Sequence, residues 1–110
     1  MGEKFFLSKR DCIDMQQKVL EELPHDFDVS LWLTAEETFY VRILLEECPD
    51  RQLEIHGIDS DGSLICYREA LKEGFYGRAV TVHLRDIRRE AEGFLRDRCG
   101  CQSPVLIRKP

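Results

Sequence analysis

Hydrophobic and polar residues alternate along the chain from residue 27 to residue 69, a pattern typical of strands that bury one face. The alternation is clearest in two runs of about eight residues that begin at Phe27 and at Phe39. Two shorter runs follow around Leu53 and Leu64. Because successive side chains of a strand point to opposite faces, the apolar positions of all four runs are expected to share one face of a sheet.

Turn-forming residues separate the later runs. The sequence is Cys-Pro-Asp-Arg at 48–51 and Asp-Ser-Asp-Gly at 59–62, and both contain residues that favour chain reversal. The spacer at 35–37 contains no Gly, Pro or Asn, so the length of the first turn is not fixed by its sequence. Together the runs and turns predict an antiparallel meander of four strands.

A helix is predicted before the meander, from Lys9 to about Leu23. Ser8, with Asp11 three residues later, supplies an approximate capping box at its start, and Pro24 ends it. Apolar residues recur at intervals of three and four and predict a buried helix face. These residues are Cys12, Met15, Val19 and Leu23, with Leu20 beside them.

After the meander, residues 70–73 are expected either to close the fourth strand or to form a helical turn, and residues 74–77 to form a loop. A fifth strand is predicted at about 78–83 and a second helix at 86–98. Residues 104–107 are expected to form a short edge strand or a docked tail. The second helix has a narrow apolar stripe made by Leu84, Ile87, Ala91, Phe94 and Leu95.

The fold class follows from the number of predicted elements. Two helices can cover one face of a five-stranded sheet but not both faces. The sequence therefore predicts an α+β protein, a two-layer sandwich in which an N-terminal and a C-terminal helix lie on one face of a mostly antiparallel sheet of about five strands. A chain of 110 residues fits a single domain, residues 1–110.

The second face of this sheet is the main functional feature of the sequence. Its predicted residues are Trp32, Tyr40, Arg42, Leu44, His56, Ile58, Ile65, Tyr67, Thr81 and His83. Soluble monomers rarely expose contiguous apolar patches above a few hundred Å², so such a face predicts a contact site. Aromatic residues and Arg dominate interface energetics, which singles out the partner-binding candidates Trp32, Tyr40, Arg42, His56 and Tyr67.

We therefore expect a small, acidic, non-enzymatic interaction or regulatory protein that binds a protein partner or, most simply, a second copy of itself as a homodimer. The alternative is that the loop at 70–77 or the C-terminal tail folds over this face and completes an ordinary core. No predicted membrane span exists, since no apolar run approaches about 20 residues. The short, acidic N-terminus does not fit a signal peptide, and we expect a cytoplasmic protein whose five cysteines are reduced.

The charge of the chain is uneven and suggests a second function. Residues 1–70 carry 7 Lys or Arg and 16 Asp or Glu, whereas residues 71–110 carry 9 and 5. A nucleic-acid-associated regulator would use the Arg-bearing second helix, but acidic residues interleave with the arginines and favour a self-paired, solvated surface. Glutamates near the second sheet face also disfavour stacking of nucleic-acid bases there. The arginines in question are Arg85, Arg88, Arg89 and Arg96.

A small-molecule-binding or catalytic site around His56 and His83 is the third possibility, since both are predicted on the same face. No local nucleophile or paired carboxylate accompanies them, which disfavours acid-base chemistry. Cys99 and Cys101 are close together, but two thiols do not make a metal site. We expect no cofactor and no metal.

Overall fold

The computed structural model describes residues 7–70 and 75–97, with the backbone alone for 75–78. Residues 84–97 contain three helical elements that follow one another without a break, and we call them the C-terminal helical segment. In chain order the elements are α1 (Lys9–Glu22), β1 (Phe27–Leu33), β2 (Phe39–Leu45), β3 (Arg51–Ile58), β4 (Leu64–Ala70), β5 (Phe75–Val82), a 3-10 turn (Leu84–Asp86), α2 (Ile87–Ala91) and a π-helical turn (Glu92–Asp97).

The five strands form one antiparallel sheet in the order β1-β2-β3-β4-β5, so strands that are neighbours in sequence are neighbours in space. Helix α1 packs against β1 and β2, and the π-helical turn packs against β2 and β3. The prediction of an α+β sandwich with five strands and one helix at each end is therefore confirmed.

The hydrophobic core lies between the helices and one face of the sheet. Alternate residues of β2 are fully buried there, as the sequence predicts, and so are Leu53 and Ile55 of β3. Gln52 and Glu54 of β3 are also buried, although they lie on the other face. The apolar stripes of α1 and the C-terminal helical segment close the core from the other side. Its fully buried side chains include Val19, Val41, Ile43, Leu53, Ile55, Cys66, Ile87 and Leu95.

Helix α1 begins as predicted. The Ser8 side chain caps it by accepting the Asp11 N–H at 3.0 Å. The predicted stripe of Cys12, Met15, Val19 and Leu23 is buried. Leu20, which the sequence placed beside that stripe, is instead 42% exposed, because it lies at the solvent edge of the helix face.

The β1–β2 hairpin is closed by threonine rather than by glycine or proline. Thr34 Oγ1 accepts the N–H groups of Glu36 at 3.2 Å and of Thr38 at 3.1 Å. The Glu37 N–H donates to the Thr34 carbonyl, and Glu37 has a φ of 66°. A short loop ending in a left-handed residue is a common hairpin connection, so Thr34 supplies the local bonds that a turn-forming residue would otherwise supply.

The structure confirms the alternative in which Ala70 closes the fourth strand, whereas the loop predicted at 74–77 is wrong because β5 begins there. Strand β4 continues to Ala70 and β5 begins at Phe75, and these two residues pair. The aromatic residues at the start of β5 favour an extended backbone, which outweighs the two nearby glycines. Between the pairs that Tyr67 and Glu69 make with β5, the register shifts by one residue, as in a bulge.

The cysteines differ in state. Cys12 and Cys66 are free and buried, and burial raises the pKa of Cys12 to about 11 and of Cys66 to about 12. Cys48 is disulfide-bonded, so the expectation of reduced thiols is wrong at this position. Cys99 and Cys101 lie outside the described residues.

Candidate functional site

The candidate site is the sheet face turned away from the helices, which we call the open face. On β2 the residues Val41 and Ile43 are fully buried, whereas Tyr40 and Arg42 between them are partly exposed. Large aromatic side chains of this face reach solvent on β1, where Trp32 is 43% exposed, and on β4, where Tyr67 is 37% exposed. The same alternation that builds the core therefore builds a ring-bearing outer surface.

A bulge in β3 places a histidine in the middle of this surface. Ile55 and Gly57 oppose consecutive residues of β4, so His56 is an extra residue in the strand. His56 lies on the open face, and the residues after it change sides, which brings Ile58 into contact with the core. The prediction that Ile58 lies on the open face is wrong because strict alternation does not allow for an inserted residue.

Three rings meet across the centre of the open face. His56 stacks on Tyr40 with centroids 4.6 Å apart and planes 8° from parallel. It meets Tyr67 edge-on, with centroids 5.1 Å apart and planes at 80°. Contacts of these two kinds each stabilise by about 1 kcal/mol beyond burial. His56 Nε2 also hydrogen-bonds to Glu54 Oε1 at 2.7 Å, so the imidazole is held from three sides.

Trp32 and Arg42 extend the row of rings toward β1. The guanidinium carbon of Arg42 lies 3.9 Å from the centroid of the indole ring, and Trp32 Nε1 donates to Ser30 Oγ at 2.7 Å. The Nε atom of Arg42 is buried and has no hydrogen-bond partner. Within the described part of the chain no carboxylate forms an ion pair with this guanidinium. Arg42 is thus a stacked cation whose charge and Nε–H are uncompensated.

Glu54 and Glu69 form a carboxylate pair on the adjacent strands β3 and β4. The side-chain amide of Gln52 donates to Glu54 at 2.5 Å and to Glu69 at 3.5 Å. Burial alone would raise the pKa of Glu54, but hydrogen bonds from His56 and Gln52 outweigh it and lower that pKa. Burial raises the pKa of Glu69, and the negative charge of Glu54 raises it further. Glu54 is therefore a well-satisfied anion, whereas Glu69 is an anion crowded by another.

The structure brings the five partner-binding candidates of the sequence analysis into one cluster. His83 stands apart from this cluster, because its described hydrogen bond is to Ser63, 3.2 Å from Nδ1 to Oγ. No described contact joins His83 to His56. Of the loop at 70–77 that was expected as a possible cover of the open face, residue 70 belongs to β4 and residues 75–77 belong to β5. Residues 71–74 and the C-terminal tail lie outside the described residues. The clustered residues are Trp32, Tyr40, Arg42, His56 and Tyr67.

The arginines of the C-terminal helical segment are partly neutralised. Arg88 lies 3.4 Å and Arg96 lies 3.2 Å from the Glu92 carboxylate, one turn away on either side. Arg96 also binds Asp26 through two hydrogen bonds of 2.9 and 3.2 Å, which lower the pKa of Asp26. Arg85 and Arg89 are exposed. Pairing of this kind is typical of a solvated helix surface, as the interleaved charges predict.

Sequence reasoning missed the roles of Gln52, Glu54 and Glu69. The signal was present, because Gln52, Glu54 and His56 occupy every second position of β3, and Glu69 is two residues beyond Tyr67. The absence of paired carboxylates near His56, expected from the sequence, is therefore wrong. The net charge of a segment does not by itself show which acidic residues lie on the face.

Comparison with protein-family models gives no match, and comparisons with curated proteins and with solved structures also give no significant match. None of the helices in residues 7–70 and 75–97 has both the length and the apolar character needed to cross a bilayer. Over the same residues, no three His, Cys, Asp or Glu side chains are grouped as metal ligands. Function must therefore be inferred from the chemistry of the open face.

Proposed function

We propose that this protein is a non-enzymatic interaction protein that binds a protein partner through its open face. The observation that carries the proposal is the contact cluster of solvent-accessible rings with one arginine that has no ion pair among the described residues. Trp, Tyr and Arg are the residue types most often responsible for binding energy at protein interfaces. Rings that already touch each other lose little further conformational freedom when a partner covers them.

Protein is favoured over nucleic acid because of the carboxylates. Glu54 and Glu69 lie between and beside the rings on which bases would have to stack, and both would repel a phosphate backbone. The exposed Arg85 and Arg89 keep the nucleic-acid alternative at the C-terminal helical segment, but their neighbours Arg88 and Arg96 are engaged within the protein. A salt-sensitive affinity that disappears in Arg88→Glu/Arg89→Glu would favour that alternative instead.

An enzyme is less well supported than a binding surface. Active sites are usually concave, and the rings of the open face lie across a sheet surface. Two depressions of the described surface lie elsewhere, one beside Arg89 and Phe94 and the other beside His25 and Asp28. His56 is engaged by its hydrogen bond to Glu54, so this imidazole is held as part of the face.

Site-specific photocrosslinking in cells tests the proposal. A benzophenone amino acid replaces Tyr67 on the open face or, as a control, Leu20 on α1. These positions are matched, because the native side chains are 37% and 42% exposed. We expect light-dependent adducts from position 67 and few from position 20. The adducts should be sensitive to protease and resistant to nuclease.

Equal labelling from both positions, or no adducts from position 67, would contradict a binding role for the open face. Nuclease-sensitive adducts would point to nucleic acid.

We place the protein in the cytoplasm as part of the same proposal. The free Cys12 and Cys66 support this placement, whereas the disulfide at Cys48 opposes it, since disulfides are rare in that compartment. Fractionation that recovers the protein outside the cytoplasm would overturn this placement.

A further inference from the structure

We propose that the partner bound by the open face is a second copy of this chain, held in a face-to-face dimer in which Arg42 of each protomer pairs with Glu69 of the other. This inference rests on the proposed function and names the partner of the same site. It is carried by two opposite charges on one face, since among the described residues neither Arg42 nor Glu69 forms an ion pair.

Arg42 and Glu69 carry opposite charges, so a two-fold symmetric interface can pair them. Among the described residues, Arg42 forms no ion pair with a carboxylate, and Glu69, which contacts Gln52 and Glu54, forms none with a cation. In a two-fold interface, if residue i contacts residue j, then j of the first protomer contacts i of the second. A single Arg–Glu contact therefore forms twice and pairs the two opposite charges in both protomers. Glu54 needs no new partner, since His56 and Gln52 already bind it.

The order of strands provides the geometry. With β3 in the centre of the sheet, a two-fold axis roughly along β3 places β2 of one protomer over β4 of the other. Arg42, which lies in the same cross-strand row as Glu54 and Tyr67, then faces the partner's β4. Glu69 is two residues from Tyr67, about 7 Å along the strand. With sheets packed about 10 Å apart, the extended arginine and glutamate side chains together span the distance between their backbones.

The same axis also matches large side chains to small ones. It places β1 over the partner's β5, so that Trp32 faces a strand whose outward residues include Ala79 and Thr81, both exposed and small. Five strands of about seven residues give a flat footprint of roughly 500 Å². Standard interfaces bury about 800 Å² on each partner. We therefore expect a dimer that dissociates on dilution.

A charge exchange between two single variants tests the pairing. Arg42→Glu creates two Glu–Glu contacts in its own dimer, and Glu69→Arg creates two Arg–Arg contacts. Each variant alone should lose at least tenfold in self-association, and an equimolar mixture should recover it, because both contacts of the mixed dimer join opposite charges. Light scattering at about 100 µM should give twice the 12.9 kDa chain mass for wild type and for the mixture.

Arg89→Glu, an exposed charge reversal on the C-terminal helical segment, is the matched control and should self-associate like wild type. Circular dichroism establishes that each variant is folded, and Glu69→Gln, which removes the charge without reversing it, replaces Glu69→Arg if the latter does not fold and should weaken association severalfold. A monomeric wild type, or single variants that do not complement each other, would overturn the dimer. Adducts of Tyr67-substituted protein with other proteins would then leave the proposed function standing, whereas the loss of all adducts would remove both.

Discussion

At the scale of single residues, the ionised carboxylate of Glu69 on the open face is destabilised by its surroundings in the folded protomer. Glu69 lies beside Glu54, and its pKa is raised by burial and by that neighbouring charge. A group whose pKa is higher in the folded state than in the unfolded state binds protons more tightly when folded. Its ionised form therefore opposes folding, fully so above the folded pKa and not at all below the unfolded pKa.

Glu69→Gln should consequently stabilise the protomer at pH 7. The amide retains the contact with Gln52 and can donate to Glu54, and the gain should be roughly 0.5 kcal/mol after solvent screening. The gain should disappear near pH 4, where the wild-type carboxyl is protonated. Urea unfolding in dilute solution measures both values, with the exposed Glu21→Gln on α1 as control. A Glu69→Gln protein that is less stable at pH 7, or equally altered at both pH values, would contradict the crowded-carboxylate interpretation.

At the scale of elements, the β1–β2 hairpin carries a local strain that one substitution should relieve. Glu37 is the only described non-glycine residue with a positive φ, and this conformation costs an L-residue about 1 kcal/mol or more. Glycine adopts it freely but gains freedom in the unfolded chain. We expect Glu37→Gly to stabilise the protein by about 0.5 kcal/mol and Glu36→Gly, at an ordinary φ, to destabilise it by about the same amount.

Chemical denaturation of these two variants makes the comparison, because they place the same substitution at adjacent positions of the same loop. Effects of the same sign in both variants would show that loop flexibility, rather than the left-handed conformation of Glu37, determines the stability of the hairpin. The bonds of Thr34 should persist in both.

The elements also show how far the sequence predicts the structure. Strands β1 and β2 follow directly from alternation, and α1 from its cap at Ser8 and its apolar spacing, because these signals are local. The turn at 35–37 carries no such signal, since its order comes from the Thr34 side chain. The bulge at His56 depends on how many residues the opposite strand presents, which a single strand's pattern does not contain. The alternation predicts the aromatic residues of the open face. It does not predict the pairing of Glu54 with Glu69, because that depends on the register between two strands.

At the scale of the whole molecule, Trp32 is the only tryptophan in the chain and lies on the open face, so its fluorescence reports directly on that surface. In dilute solution the half-exposed indole should emit at the long wavelengths typical of contact with water. Raising the protein concentration into the range of the dimer should shift the emission to shorter wavelength, since the partner's β5 would exclude water from the ring. Arg42→Glu should abolish the concentration dependence.

Emission that does not change with concentration, in a sample that light scattering shows to be dimeric, would place the interface on another surface. The control is Arg89→Glu, whose emission should follow that of wild type. The two measurements together locate the contact as well as count the subunits.

The extra residue in β3 has a consequence for how this chain can change by insertion or deletion. Removing His56 would restore an unbroken ladder, and Gly57, which has no side chain to stack, would take the central place of the histidine. Ile58 would still point into the interior, so the protomer would remain foldable while its outer surface lost the imidazole that joins Tyr40 to Tyr67. Deletion of this single residue is thus expected to leave folding intact and to weaken binding through the open face.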